Sequence, residues 1–202
     1  MAEADKMRTI SLDHITPPIG VYICDTDWAL TAVDAWDGKK EDVLGIYVGD
    51  STIKRVVWPE PVYGDIFSTN EQYYTVVTET TDYDGKKHTA KMKTDPKYTA
   101  SSIAGLASAY TFKDGTEAYL PSAGEMRLVA LNLLAVQTAS IKSGFLLPFD
   151  ITKEQVTFWT SFKYAASSNY WFYAVIVQGG DPVYIWQANK KEYRYGYSMC
   201  EY

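Results

Sequence analysis

The sequence predicts an α+β domain in which a mainly antiparallel, twisted sheet carries two helices. Short runs rich in β-branched and aromatic residues open the chain after Pro18 and close it after Pro148, each bounded by Gly, Asn, Asp or Pro. Between these runs lie two stretches with helical spacing. Strands, then helices, then strands is the order of a segregated α+β chain; a parallel sheet needs the two to alternate.

Residues 1–18 read as an arm ending at Pro17-Pro18, a pair that suits neither a helix interior nor a central strand. Such an arm either stays disordered or docks on a neighbouring subunit. Residues 19–202 form the domain. Ile19 to Cys24 reads as a strand, and Asp25 to Asp42 as a polar, turn-rich stretch with a tight turn at Asp37-Gly38. Val43 to Val48 and Ile53 to Trp58 form a hairpin across Gly49-Asp50-Ser51. In residues 59–98 the pattern is weakest: Tyr73 to Val77 suits a strand, while Asp82, Asp84, Gly85 and the lysines that follow suit an exposed loop.

Ser101, Ser102, Ile103, Ala104, Leu106, Ala107 and Ala109 make a small-residue helix, closed by Asp114-Gly115. The clearest local signal follows. In Pro121-Ser122-Ala123-Gly124-Glu125 a cap serine precedes a glutamate by three residues, the capping-box arrangement. Met126, Val129, Leu133 and Val136 then recur on one helical face, widened by Leu128, Leu131 and Leu134. The pattern predicts one mostly buried helix of about four or five turns ending before Gly144. Val156 to Ser161, Tyr170 to Gln178, Val183 to Gln187 and Glu192 to Cys200 complete the sheet.

Composition sets bounds on function. The 202 residues are 47% hydrophobic and 22% charged, enough for one ordinary core. A net charge of −6, with no clustering of Lys and Arg, is the wrong electrostatic footprint for nucleic acid. No apolar run is long enough to span a membrane as a helix. Met1 to Arg8 leads into no apolar signal core, so the chain is expected to be made in the cytoplasm. The 17 Tyr and 6 Trp supply large contact area at low rotamer entropy, which suits binding faces and interfaces as well as strand-rich cores. Cys24 and Cys200 match neither a metal spacing nor a disulfide framework and read as two buried thiols, with a bridge between them as the alternative.

No catalytic constellation is legible. His14 lies in the arm and His88 among lysines, neither in a triad or metal-ligand spacing. Ser122 and Glu125 belong to a helix cap rather than to a nucleophile elbow. Asp82-Tyr83-Asp84-Gly85 begins like a calcium loop but has no closing acid, and Asp25-Thr26-Asp27 reads equally as a solvated turn. The chain is therefore expected to be no enzyme, with no cofactor and no metal.

Three segments, in order, carry a resemblance: Tyr119-Leu120-Pro121-Ser122-Ala123-Gly124-Glu125-Met126; Phe158-Trp159-Thr160-Ser161 with Tyr164 and Ser167-Ser168-Asn169-Tyr170-Trp171; and Tyr193-Arg194-Tyr195-Gly196-Tyr197. Together they resemble a family of lectin-like domains abundant in gut anaerobes and their bacteriophages, similar in fold to C-type lectins. Thr160, Phe162-Lys163 and the proline-free last segment depart from the family pattern. The resemblance covers about residues 19–202. It implies a C-type-lectin-like fold whose first and last strands pair, which would make Cys24 and Cys200 neighbours.

It further implies a binding surface on the final strands and loops, where Tyr164, Tyr170, Trp171, Tyr173, Tyr184, Trp186, Tyr193, Tyr195 and Tyr197 fall. Strand alternation puts Tyr193, Tyr195 and Tyr197 on one face. The function expected from the resemblance is a bacteriophage virion protein, a head fibre, decoration protein or tail-associated protein. It would self-associate, contact other virion proteins and attach to host-surface glycan. The alternative is a bacterial cell-surface adhesin domain of the same fold.

Overall fold

The computed structural model describes residues 18–64, 83–94, 99–146, 155–163, 171–178, 181–189 and 194–202, with only the backbone course given for 162–163, 171–178 and 181–189. Ten strands and four α-helices are present among the described residues: β1 (Gly20–Asp25), β2 (Leu30–Ala32), β3 (Val43–Gly49), β4 (Lys54–Val57), β5 (Val62–Gly64), α1 (Gly85–Lys93), α2 (Ile103–Ser108), α3 (Ala123–Leu131), α4 (Leu133–Lys142), β6 (Gln155–Lys163), β7 (Trp171–Gln178), β8 (Asp181–Asn189), β9 (Arg194–Gly196) and β10 (Met199–Glu201). The expected arm and the strand at Tyr73 to Val77 lie outside the described residues.

The α+β class holds, but the strands form two five-stranded sheets rather than one. The first runs β10-β4-β3-β1-β2 and is antiparallel throughout; the second runs β5-β9-β6-β7-β8. In the second, Phe158 stands opposite Tyr195 in a parallel contact, the one such pairing among the described residues. The chain changes sheet at Tyr197-Ser198, so the long final strand expected from Glu192 to Cys200 is two short ones. The last strand pairs with β4 and not with β1. Cys24 and Cys200 nonetheless share one buried cluster with Leu44, Tyr47, Val56 and Phe112, and they are unbridged. Burial is the main cause that raises both thiol pKa values.

Both faces of the first sheet are covered. Ile23, Val43, Ile46, Val48 and Val57 meet Met126, Val129, Leu133 and Val136 of α3 and α4 in the main cluster. The opposite face holds the cysteine cluster. Burying this apolar surface, at about 25 cal/mol per Å², holds the layers together.

Two helical expectations are corrected. The long helix breaks at Asn132, where the backbone leaves the helical region (φ −110, ψ 14) and the side-chain amide donates to the Leu128 carbonyl at 2.8 Å. That side chain competes for the backbone and ends α3, as Asn tends to do. The lysine-rich segment read as an exposed loop is helix α1. Its inner face is Gly85, His88, Thr89 and Met92, a helical spacing built from residues too small or too polar to register as an apolar stripe. Asp84 caps it by accepting from the Lys87 amide at 3.3 Å.

The C-terminus is fastened to the first sheet by aromatic side chains. Trp28 has a left-handed backbone (φ 64). Its carbonyl accepts from the Tyr202 hydroxyl at 3.1 Å, and its indole donates to Asp114 at 3.1 Å. Tyr202 also packs edge-on against Tyr47, whose hydroxyl donates to the Pro18 carbonyl at 2.8 Å. Burial, then neighbouring groups, push Tyr47 and Tyr202 up to about 12. An ordinary tyrosine, as in the unfolded chain, ionises near about 10. The neutral phenols of the folded state therefore contribute stability that is complete below about pH 10 and is lost as pH rises toward about 12. Denaturant midpoints measured across this window should fall with pH, and Tyr47→Phe should flatten the fall.

Candidate binding surfaces

The aromatic surface expected from sequence divides into four parts. Tyr164, Tyr170 and Tyr193 lie outside the described residues. Trp171 and Tyr173 on β7 are in register with Asn189 and Gln187, whereas Tyr184 and Trp186 on β8 are in register with Ile176 and Ala174. Alternation therefore puts the first pair on one face of the second sheet and the second pair on the other. Tyr195 is half-buried on β9, directly opposite Tyr63 on β5, with their ring centroids 5.1 Å apart. Tyr63 is 56% exposed, so these two rings form an accessible aromatic pair. Tyr195 is the one residue of the expected surface whose ring is described and reaches solvent; Tyr63, on β5, was not among the residues expected there.

Tyr197 is corrected from a binding residue to a core residue. It is 0% exposed and stacks on Phe158 at 5.3 Å, because the crossing between the two sheets carries it inside. Its hydroxyl is buried without a hydrogen-bond partner. An unsatisfied buried hydroxyl costs about 1–3 kcal/mol. Tyr197→Phe is accordingly expected to leave stability unchanged or raise it by about 1 kcal/mol, read from the urea midpoint.

The Ser-Ala-Gly-Glu segment forms a cap, as expected, and more. The Glu125 carboxylate is fully buried and accepts from four donors: the Ser122 amide (2.8 Å), the Gly85 amide (3.1 Å), the Tyr119 hydroxyl (3.0 Å) and Arg55 Nε (2.6 Å). Arg55 also donates to the Tyr83 carbonyl at 3.0 Å. One carboxylate thus fastens β4, the start of α1 and the start of α3. The fit explains Gly85: a Cβ there would stand 2.4 Å from Glu125 Oε2 and 2.6 Å from the Ser122 nitrogen.

Such an arrangement holds elements together, with four donors matched to the acceptor sites of one carboxylate. His88, on α1, lies with its Nδ1 3.4 Å from the Ser161 hydroxyl, and both are buried. This contact joins α1 to β6. Among the described residues no group of three or more His, Cys, Asp or Glu side chains could hold a metal ion.

A concave feature of the described surface is an open groove of about 460 Å³ between the turn at Val33-Asp34 and the α3–α4 junction. Leu131, Asn132, Leu134, Ala135 and Thr138 complete its lining. Leu131 is 53% and Leu134 62% exposed, so the groove is apolar and open to solvent. Sequence reasoning assigned Leu131 and Leu134 to a widened apolar face of a mostly buried helix; they lie instead on the side away from Val129, Leu133 and Val136 and are exposed.

No family model and no curated protein sequence matches the chain. Among solved structures, a fimbrial protein from Bacteroides ovatus ATCC 8483 is similar, with a TM-score of 0.65 and 15% identity. The likeness covers 92% of this chain and 49% of that one, so the chain spans about half the length of the structure it matches. At this identity the similarity speaks to the fold.

Proposed function

We propose that this chain is a non-catalytic adhesin-type domain displayed on a bacterial cell surface. The observation that carries the reading is that 92% of the chain superposes on part of a fimbrial protein. Two features agree with it: the motif carboxylate, Glu125, is consumed by structural hydrogen bonds, and the accessible features are an aromatic pair and an apolar groove. Exposed tyrosine rings are suited to stacking on sugar rings, and the Tyr63–Tyr195 pair is the contact proposed for surface glycan. The C-type-lectin-like assignment belongs to this proposal as well, carried by the sequence resemblance.

The virion reading rests on that same resemblance alone and stands second. Immunogold labelling of the producing cells and of any virus particles they release separates the two. Label on the cell envelope or its appendages is the expected result. Label confined to particles would transfer the domain to the virion, and label confined to the cytoplasm would sink both readings. Glycan-array binding that weakens in Tyr63→Ala would assign the contact; binding indifferent to Tyr63 would remove it.

A further inference from the structure

The Tyr63–Tyr195 pair ends a cross-strand row that runs from core to solvent. On one face of the second sheet, Tyr63, Tyr195 and Phe158 stand in register on β5, β9 and β6. Phe158 is fully buried, Tyr195 is half-buried, and Tyr63, on the edge strand, is 56% exposed. The Tyr195 ring is braced inward against Phe158, 6.3 Å away, and outward against Tyr63. The planes of the two tyrosine rings are inclined at 56°, so they offer no common flat surface for two successive sugar rings. Such a pair accommodates one sugar ring, on the exposed face of Tyr63.

The row itself carries no charge. Among the described residues, the charged groups nearest along the chain are Arg194, beside Tyr195, and Glu60, before Tyr63. Arg194 stands opposite Gly64, on the other face by strand alternation, and its guanidinium lies 5.5 Å from the buried Trp159 ring. Glu60 is paired with Lys40 at 3.1 Å. The chain as a whole carries a net charge of −6. A sugar bearing carboxylate or sulfate would approach a domain of like charge and find no cation in the row to replace its water. We propose, resting on the glycan contact proposed for this pair, that it takes a single neutral hexopyranose residue and discriminates against acidic sugars. The C–H-bearing face of that sugar stacks on the Tyr63 ring.

Ligand-observed NMR titration of the full chain provides the test, with methyl hexopyranosides, their trisaccharides, and the matching uronic acid and sulfated glycosides. Neutral glycosides are expected to bind weakly and equally at low and high salt, and the acidic ones at least about tenfold more weakly. Tyr63→Ala should reduce the affinity about tenfold and Tyr63→Phe by less than about threefold, because the ring makes the contact. Tyr63 is exposed, so both variants are expected to stay folded. Preferential binding of acidic glycosides that weakens with salt and is lost in Tyr63→Ala overturns the neutral-sugar assignment but keeps the glycan contact. A trisaccharide bound more than about tenfold more tightly than its monosaccharide overturns the single-residue footprint. Neutral binding indifferent to Tyr63→Ala removes the sugar from this pair. If no glycoside of either kind binds, the glycan contact itself fails, and the sugar class falls with it.

Discussion

Glu125→Ala is expected to destabilise the domain by about 3–5 kcal/mol, the cost of leaving a buried charge without its partner. Glu125 is fully buried and the Arg55 side chain is 12% exposed, so water can relieve the loss only in small part. Removing the carboxylate takes the ionic partner from Arg55, whose Nε loses its acceptor, and strands the Tyr119 hydroxyl and two backbone amides at once. Burial by itself would depress the Arg55 pKa, yet Tyr119 and Glu125 more than offset this and hold it above its ordinary value, so the cation persists. Glu125→Gln should cost less, because an amide still accepts from some of the four donors. Arg55→Met combined with Glu125→Leu should cost less than the sum of the two single changes, since it removes both charges. Urea midpoints at constant slope check each point. A loss below about 1 kcal/mol for Glu125→Ala would mean that water replaces the carboxylate and that the node is no fastening.

The residues that made the sequence legible are the ones with local rules. Ser122 and Glu125 announce a helix start because a capping box is decided within four residues, and the structure keeps that start. Val43 to Val48 announces a strand because it is apolar throughout, and β3 is indeed buried along its whole length. What sequence could not show depends on partners distant in the chain. Asn132 breaks a helix that its neighbours would continue, through a side-chain bond that periodicity does not register. Gly85 to Lys93 looks like a solvated loop until the contact of Gly85 with Glu125, 40 residues away, explains how its N-terminus docks. Alternation grouped Tyr195 with Tyr197, but the chain leaves one sheet for the other between them. The apolar groove was hidden for the opposite reason: Leu131 and Leu134 are apolar residues in an apolar helix, yet they lie away from the stripe of Val129, Leu133 and Val136 that meets the core.

Trp159→Ala is the second large loss expected, about 3–5 kcal/mol. Trp159 lies on β6, is 0% exposed, and packs with Met92, Ile103, Ala107 and Leu120. Its indole donates to the Gly64 carbonyl at 3.2 Å, which ties β6 to β5, and the Arg194 guanidinium lies 5.5 Å from its ring. Two residues on, the Ser161 amide donates to the Pro121 carbonyl at 2.8 Å. The two segments that carry the family resemblance most specifically are thus in contact: Trp159 against Leu120, Ser161 against Pro121. The described residues of these segments pack on one another, which is why the resemblance points to a fold more strongly than to a binding partner.

Trp159→Phe separates the two contributions. It keeps most of the ring volume but leaves the Gly64 carbonyl without that donor, and should cost about 1–2 kcal/mol. Both variants should retain any glycan binding in proportion to the folded fraction. A Trp159→Phe variant of unchanged stability that lost binding outright would make this tryptophan a ligand contact, and the structural account of the hairpin motif would fall.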